Sequence, residues 1–177
     1  MSVQYSKIKI AGHPLHPMLI AFPVTFYTAT LLSFAAYAGT QDLFFWRMGL
    51  WSNVTGVLSA VVAMVPGFID WAVGIPKGTR ARAVGRTHML LNATAFALFL
   101  INLVVQTRRW FELVQAASAA VEPQMPSPTL ALVLSGLGVL VTAAAGYLGY
   151  TLVQTHHVGV EETPAPRRPE PAPRGRA

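Results

Sequence analysis

The run MLIAFPVTFYTATLLSFAAY, residues 18–37, contains twenty residues and no charged side chain. At 1.5 Å per residue, a helix of this length is about 30 Å long, which matches the hydrocarbon core of a bilayer. Three further apolar segments of similar length lie at residues 46–73, 88–106 and 129–153. Inside lipid every backbone N–H and C=O must be paired within its own segment, and long runs of this composition suit helices. The sequence therefore predicts four transmembrane helices.

The composition is typical of a membrane protein, and the lipid bilayer is therefore the first partner that we predict. Hydrophobic residues make up 53% of the 177 residues and charged residues only 11%, whereas soluble domains carry roughly 25% charged residues. Cysteine is absent. This chain therefore holds no disulfide, thiolate ligand or iron–sulfur cluster.

The short connections between the segments favour antiparallel neighbours. We predict an all-α, antiparallel four-helix transmembrane bundle over residues 1–160, with helices at about 17–38, 46–74, 87–107 and 129–154. Residues 161–177, EETPAPRRPEPAPRGRA, contain nothing apolar to bury, so we predict a disordered C-terminal tail. The stretch RRWFELVQAASAA, residues 108–120, is predicted to form a separate short helix at the membrane interface. We find no repeat of fixed period.

The net charge of +6 comes from basic residues at helix ends and in the tail, not from a basic face interleaved with aromatic residues, so no nucleic-acid partner is indicated. Three parts of the chain share most of the basic residues: Lys7 and Lys9 before the first helix, Lys77, Arg80, Arg82 and Arg86 between the second and third, and Arg167, Arg168, Arg174 and Arg176 in the tail. The other two loops hold only Arg47, Arg108 and Arg109. The positive-inside rule then predicts an inner-membrane protein with both termini in the cytoplasm.

Small and polar residues mark helix–helix interfaces in membranes, because leucine gains nothing from leaving lipid. Such residues recur at steps of three and four along three of the predicted helices: Asn53, Gly56, Ala60, Ala63, Gly67 and Asp70 on the second, His88, Asn92, Ala95, Phe99, Asn102 and Gln106 on the third, and Ser135, Gly138, Thr142, Ala145 and Gly149 on the fourth. We expect these stripes to face the bundle interior. The line Gly138, Thr142, Gly146 leaves open whether the fourth helix also serves a homo-oligomer.

All five histidines and Asp70 fall at the predicted cytoplasmic end of the bundle. A carboxylate near the hydrocarbon needs a partner or a function, and a salt bridge to Arg80, Arg82 or Arg86 is the structural alternative for Asp70. His13 and His16 each precede a proline, which disfavours helical backbone, so both are expected to be extended. Pro23 and Pro66 each remove one helical hydrogen bond near this end.

Four stretches resemble domain of unknown function 2231, a family of predicted bacterial membrane proteins: GHPLHPMLIAFP at 12–23, GFIDW at 67–71, HMLLN at 88–92 and GYLGYTLVQTHHVGV at 146–160. The resemblance implies that the family's motif residues fall on His13, His16, Asp70, His88, Asn92 and His156. The family's closing motif usually reads like YRHGVGV, so His157 stands where a glycine is expected. The family offers no established activity, but some relatives look like fusions to a Rieske domain, which implies electron transfer and a redox partner protein.

Three functions compete. Neutral imidazole is the commonest protein ligand for transition metals. The first hypothesis is therefore a zinc or iron site on His13, His16, Asp70, His88 and His156, or a haem b on His88 and His156 with Asn92 in the same site and Arg82 or Arg86 near a propionate. The second is a non-enzymatic scaffold or accessory subunit in which the same residues form a structural hydrogen-bond network. The third, a small transporter, fits worst, because paired broken helices are not visible in the sequence. No nucleophile or paired general base is identifiable, so no reaction is predicted and enzymatic activity stays open.

Overall fold

The computed structural model describes residues 6–119 and 124–160, and the predicted tail lies outside them. The described chain begins with a two-stranded antiparallel ribbon and continues almost entirely as helix. Its elements are β1 Lys9–Ile10, β2 His13–Pro14, α1 Leu15–Leu19, α2 Ala21–Thr40, α3 Leu43–Ile69, a π-helical turn Asp70–Gly74, α4 Arg80–Ser118 and α5 Thr129–Gln154. Four of its helical segments are long and apolar enough to cross a membrane. The predicted all-α, antiparallel four-helix bundle is confirmed.

The first transmembrane segment is interrupted at Ile20, between α1 and α2. Pro23 has no N–H and cannot donate to the carbonyl of Leu19, which is where α1 ends. His16 is the second residue of α1, so the prediction that it is extended is wrong, whereas His13 does lie in a strand. The reason is that the helix begins at Leu15 and places Pro17 in its first turn, where the missing N–H has no helical acceptor to lose.

The end of α3 also departs from regular helix. Pro66 lies inside α3, and from Asp70 the helix widens into a π-helical turn that ends at Gly74. At the far end of the chain, α4 runs for 39 residues, about 58 Å at 1.5 Å per residue, which is longer than a bilayer core. The predicted separate interfacial helix is therefore wrong, because residues 108–118 contain neither glycine nor proline and continue α4.

The helices form two hairpins, α2 with α3 and α4 with α5, and both are built on the same sequence pattern. The pattern GVLxxxxAxxxG occupies residues 56–67 on α3 and 138–149 on α5. Its first glycine lies under an aromatic ring of the preceding helix: a Cβ added at Gly56 would lie 2.8 Å from Tyr27, and one added at Gly138 would lie 2.5 Å from Phe99. Its second glycine lies under a histidine ring in both hairpins.

The chain is therefore a tandem of two related hairpins, which the sequence reading missed. Equivalent positions are 72 residues apart between α2 and α4, as for Tyr27 and Phe99, but 82 apart between α3 and α5, as for Gly56 and Gly138. The difference arises because the connection between α4 and α5 is longer than the one between α2 and α3. A search for one fixed period misses a repeat whose two helices are offset by different amounts.

Tyr27 and Phe99, the equivalent rings, stack on each other where the hairpins meet, with centroids 3.7 Å apart and planes 3° from parallel. Both rings are buried and belong to one apolar cluster with Val57 and Ala60 of α3. The stack joins the two hairpins through the same position of each repeat. This stack requires glycine at positions 56 and 138, because a Cβ at either position would overlap the ring that lies on it.

Replacing Gly138 by alanine is expected to destabilise the protein by about 1–3 kcal/mol, the usual cost of overpacking. The added methyl would overlap Phe99, which cannot retreat because Tyr27 stacks on its other side. The control is Gly136→Ala on the same helix, where a Cβ meets nothing within 4 Å and helix propensity favours alanine by up to about 1 kcal/mol. Thermal unfolding in detergent measures both, and equal melting temperatures for the two variants would contradict this packing.

Candidate functional site

Two histidines, one from each hairpin, occupy equivalent positions near the end of the bundle where α1 begins. The Nδ1 of His16 lies 2.8 Å from the carbonyl oxygen of Ala63, and the Nδ1 of His88 lies 2.7 Å from that of Ala145. Because a carbonyl oxygen can only accept, we assign the ring hydrogen to Nδ1 in both histidines. In the neutral imidazole this leaves Nε2 as the free lone pair.

Each imidazole is held over a glycine one turn beyond the alanine that it bonds. A Cβ at Gly67 would lie 2.7 Å from His16, and a Cβ at Gly149 would lie 3.1 Å from His88. The alanine and glycine belong to the repeated GVLxxxxAxxxG pattern, so the alanine supplies the acceptor and the glycine the space. The sequence contained this signal, because the pattern is visible once the two helices are aligned.

The two rings face each other across the junction of the hairpins. Their centroids are 6.3 Å apart and their planes are 86° from parallel. His16 and His88 are both half-buried. We call them the histidine pair.

The surroundings of the two Nε2 atoms differ. The side-chain amide of Asn92 donates to Nε2 of His88 at 3.1 Å and also to the backbone carbonyl of His88 at 2.9 Å. The equivalent position in the first hairpin is Ile20, which cannot donate from its side chain. Within residues 6–119 and 124–160, Nε2 of His16 makes no hydrogen bond.

The side chain of Asp70 binds residues 6–8, which we call the N-terminal segment. Its carboxylate accepts from the hydroxyl of Ser6 at 2.7 Å and from the backbone N–H groups of Lys7 and Ile8 at 2.7 and 3.4 Å. Ser6 is buried as a result. Asp70 thus closes the N-terminal segment over the π-helical turn.

The arginines of the second loop do not pair with Asp70 in the described structure. Arg82 donates from one guanidinium nitrogen to the carbonyls of Trp71, Ala72 and Ile75 and stacks on the Trp71 ring at 4.4 Å. The Trp71 indole donates in turn to the carbonyl of Arg82. Arg86, predicted near a haem propionate, is exposed.

The remaining histidines stand apart from the histidine pair. His13 is exposed and its Nδ1 bonds the carbonyl of Ala11 at 2.9 Å. His156 is half-buried just beyond α5, and His157 is exposed with φ of 52°. This left-handed backbone favours glycine, which explains the glycine expected at this position of the family motif.

In the described part of the chain, no three His, Asp or Glu side chains are placed to share a metal ion. The structure thus brings together His16, His88 and Asn92, and leaves His13, Asp70, His156 and Arg86 outside this group.

Replacing Asp70 by alanine is expected to release the N-terminal segment and speed trypsin cleavage after Lys7. Hydrogen bonds to a charged group contribute about 1.5–3 kcal/mol each, so losing them should raise the cleavage rate roughly ten-fold or more. The control is Asp42→Ala, which removes a carboxylate that caps α3 at the opposite end of the bundle. Mass spectrometry of the N-terminal peptide measures the rates, and equal rates in Asp70→Ala and Asp42→Ala would refute the anchoring role.

Comparison with known proteins gives one result. No curated protein and no solved structure matches the chain. A family model described as "Predicted membrane protein (DUF2231)" matches residues 12–162, which include both hairpins and the histidine pair. The chain belongs to the DUF2231 family of predicted membrane proteins.

Proposed function

We propose that this integral membrane protein binds one transition-metal ion, alone or as the iron of a haem, through Nε2 of His16 and His88. The observation that carries the proposal is the matched Nδ1 hydrogen bond of each ring to a backbone carbonyl. Metal-binding histidines almost always donate their other ring N–H in this way, which fixes the tautomer and the ring orientation. The two histidines are therefore fixed alike through Nδ1, at equivalent positions of the repeat, although only His88 has a second hydrogen bond at Nε2.

The separation of the rings is compatible with a shared ion. Metal–imidazole bonds are about 2.0 Å long, so two rings that bind from opposite sides of one ion have centroids about 6 Å apart, whereas a tetrahedral zinc ion would bring them to about 5 Å. The observed separation is 6.3 Å. Imidazole suits zinc, copper and iron, and the two protein ligands would leave further positions for a porphyrin or water. Iron would allow one-electron exchange with a redox partner protein, whereas zinc has no redox chemistry.

A second candidate function is a structural clasp in a non-enzymatic scaffold. The observation that favours it is the Asn92 hydrogen bond, because with it both ring nitrogens of His88 are satisfied without a metal. In this case His16 fastens α1 to α3, and His88 fastens α4 to α5. Both functions predict that His88→Ala lowers stability, so stability does not distinguish them.

Metal content distinguishes the two functions. The full-length protein is purified in detergent from cells supplied with iron, zinc and a haem precursor, and its metals and absorption spectrum are measured. Metal binding predicts about one ion per chain in the wild type, with loss in both His16→Ala and His88→Ala. His157→Ala is the matched control and should retain the ion.

Asn92→Ala sharpens this test. It frees Nε2 of His88, so the variant should bind the ion at least as tightly as the wild type although its fold is less stable. A wild-type protein that stays metal-free after supplementation would refute metal binding and leave the clasp.

We further propose that the histidine pair lies at the cytoplasmic face of the inner membrane, with both termini on that side. The support is the excess of lysine and arginine at this end of the bundle. The loop that holds Lys77 joins α3 to α4 at the same end as His88.

Because the chain has no cysteine, single cysteines report the orientation cleanly. Ser127→Cys should react with a membrane-impermeant maleimide in cells whose outer membrane has been removed. Lys77→Cys should react only after the inner membrane is opened. Both positions are exposed in the structure, so the reverse labelling pattern would invert the topology.

A further inference from the structure

A second polar group lies deeper in the bundle, away from the histidine pair. Four side chains form one layer across the helices, and each is fully buried: Thr30, Asn53, Asn102 and Ser135. In the first hairpin, the ring contacts Tyr27 to Gly56 and Phe34 to Gly49 bracket Thr30 and Asn53 on either side. Asn102 and Ser135 occupy the equivalent positions of the second hairpin. We call these four residues the polar layer.

Three members of the polar layer have hydrogen-bond partners. Thr30 donates to the carbonyl of Phe26 at 2.8 Å, and Ser135 donates to that of Ala131 at 2.6 Å. Asn102 donates to the Ala131 carbonyl at 3.3 Å, and its own oxygen accepts from Gln106 at 3.0 Å. Because both hydroxyls act as donors here, each keeps lone pairs that can accept.

Asn53 is the exception. Among the residues that the structure describes, neither its amide nitrogen nor its amide oxygen has a hydrogen-bond partner, although the residue is completely buried. The hydroxyl of Tyr27, in the adjacent layer, is likewise buried and has no partner in the described part of the chain. Buried polar groups are almost always hydrogen-bonded, and in a membrane-spanning segment no bulk water is present to satisfy them.

The unmet groups of Asn53 define the chemistry of what binds there. Its oxygen needs a donor and its nitrogen needs an acceptor. A metal cation cannot accept from the nitrogen, and an anion without a hydrogen cannot donate to the oxygen. Water does both, and buried waters typically make about three hydrogen bonds to such groups.

We propose that the polar layer is an internal hydration site, in which at least one ordered water bridges Asn53 to the hydroxyl groups of Thr30, Ser135 or Tyr27. The site does not depend on the proposed metal binding. It lies fourteen residues beyond His16 along the first transmembrane segment, about 21 Å at 1.5 Å per residue. The protein therefore keeps water at the depth of the hydrocarbon core.

Radiolytic hydroxyl labelling tests the proposal, because X-rays convert bound water into radicals that oxidise adjacent side chains. The full-length protein in detergent is irradiated, and oxidation of Tyr27 and Tyr37 is quantified by mass spectrometry. Both tyrosines are at most 3% exposed, but Tyr37 lies further along α2 and its hydroxyl donates to the carbonyl of Pro126, away from the polar layer. We expect Tyr27 to be oxidised several-fold faster than Tyr37, because only Tyr27 adjoins the proposed water.

Asn53→Leu removes both unmet groups and should lower Tyr27 oxidation to the level of Tyr37. The matched control is Thr55→Val, also on α3 but exposed on its outer surface, which should leave Tyr27 oxidation unchanged. Tyr27 oxidation no faster than that of Tyr37 in the wild type would overturn the proposal, whether or not Asn53→Leu folds. Unchanged Tyr27 oxidation in a folded Asn53→Leu variant would overturn it equally.

Discussion

The structure depends on the close approach of helices at glycine. In lipid, helices are not driven together by hiding apolar surface, so association rests on packing and on polar contacts between helices. Gly56 and Gly138 allow the rings of Tyr27 and Phe99 to lie directly on the neighbouring backbone. These two rings then stack on each other and join the hairpins. The same device, repeated towards the bundle end at Gly67 and Gly149, positions the histidine pair.

The second constraint is that backbone groups released by prolines and by helix ends must find partners. At the end of α3, the guanidinium of Arg82 donates hydrogen bonds to three backbone carbonyls in and next to the π-helical turn. The carboxylate of Asp70 accepts hydrogen bonds from two backbone N–H groups of the N-terminal segment. Two charged side chains therefore satisfy the backbone groups around this irregular region, Arg82 the carbonyls and Asp70 the N–H groups. Asp70, which the sequence alone presented as a candidate ligand, is explained as an anchor for the N-terminal segment.

Apolar length and helical spacing predicted the four spans and most of the interior faces. Asn53, Phe99, Asn102 and Ser135 all came from the predicted stripes, and all are fully buried. The sequence predicts the site less well than the fold. The Nδ1 partners of His16 and His88 are backbone carbonyls, which every residue has and which no residue type signals. The repeat has no single period, because equivalent residues are 72 apart in its first helix and 82 apart in its second. The sequence does not predict the helical backbone of His16, because the restriction from Pro17 disfavours it and no residue type signals that the helix begins at Leu15.

The repeat also shows where the two hairpins have diverged. Their histidines, ring contacts and acceptor carbonyls correspond, but Asn92 corresponds to Ile20. The divergence makes the histidine pair chemically unequal, since Nε2 of His16 has no hydrogen-bond partner among the described residues, whereas Nε2 of His88 accepts from Asn92. An ion that enters the proposed site can bind His16 without breaking any protein contact, and it recruits His88 only when the Asn92 amide turns away. If the proposed site binds an ion, Asn92 would therefore compete with it for His88, whereas Nε2 of His16 would be available without any rearrangement.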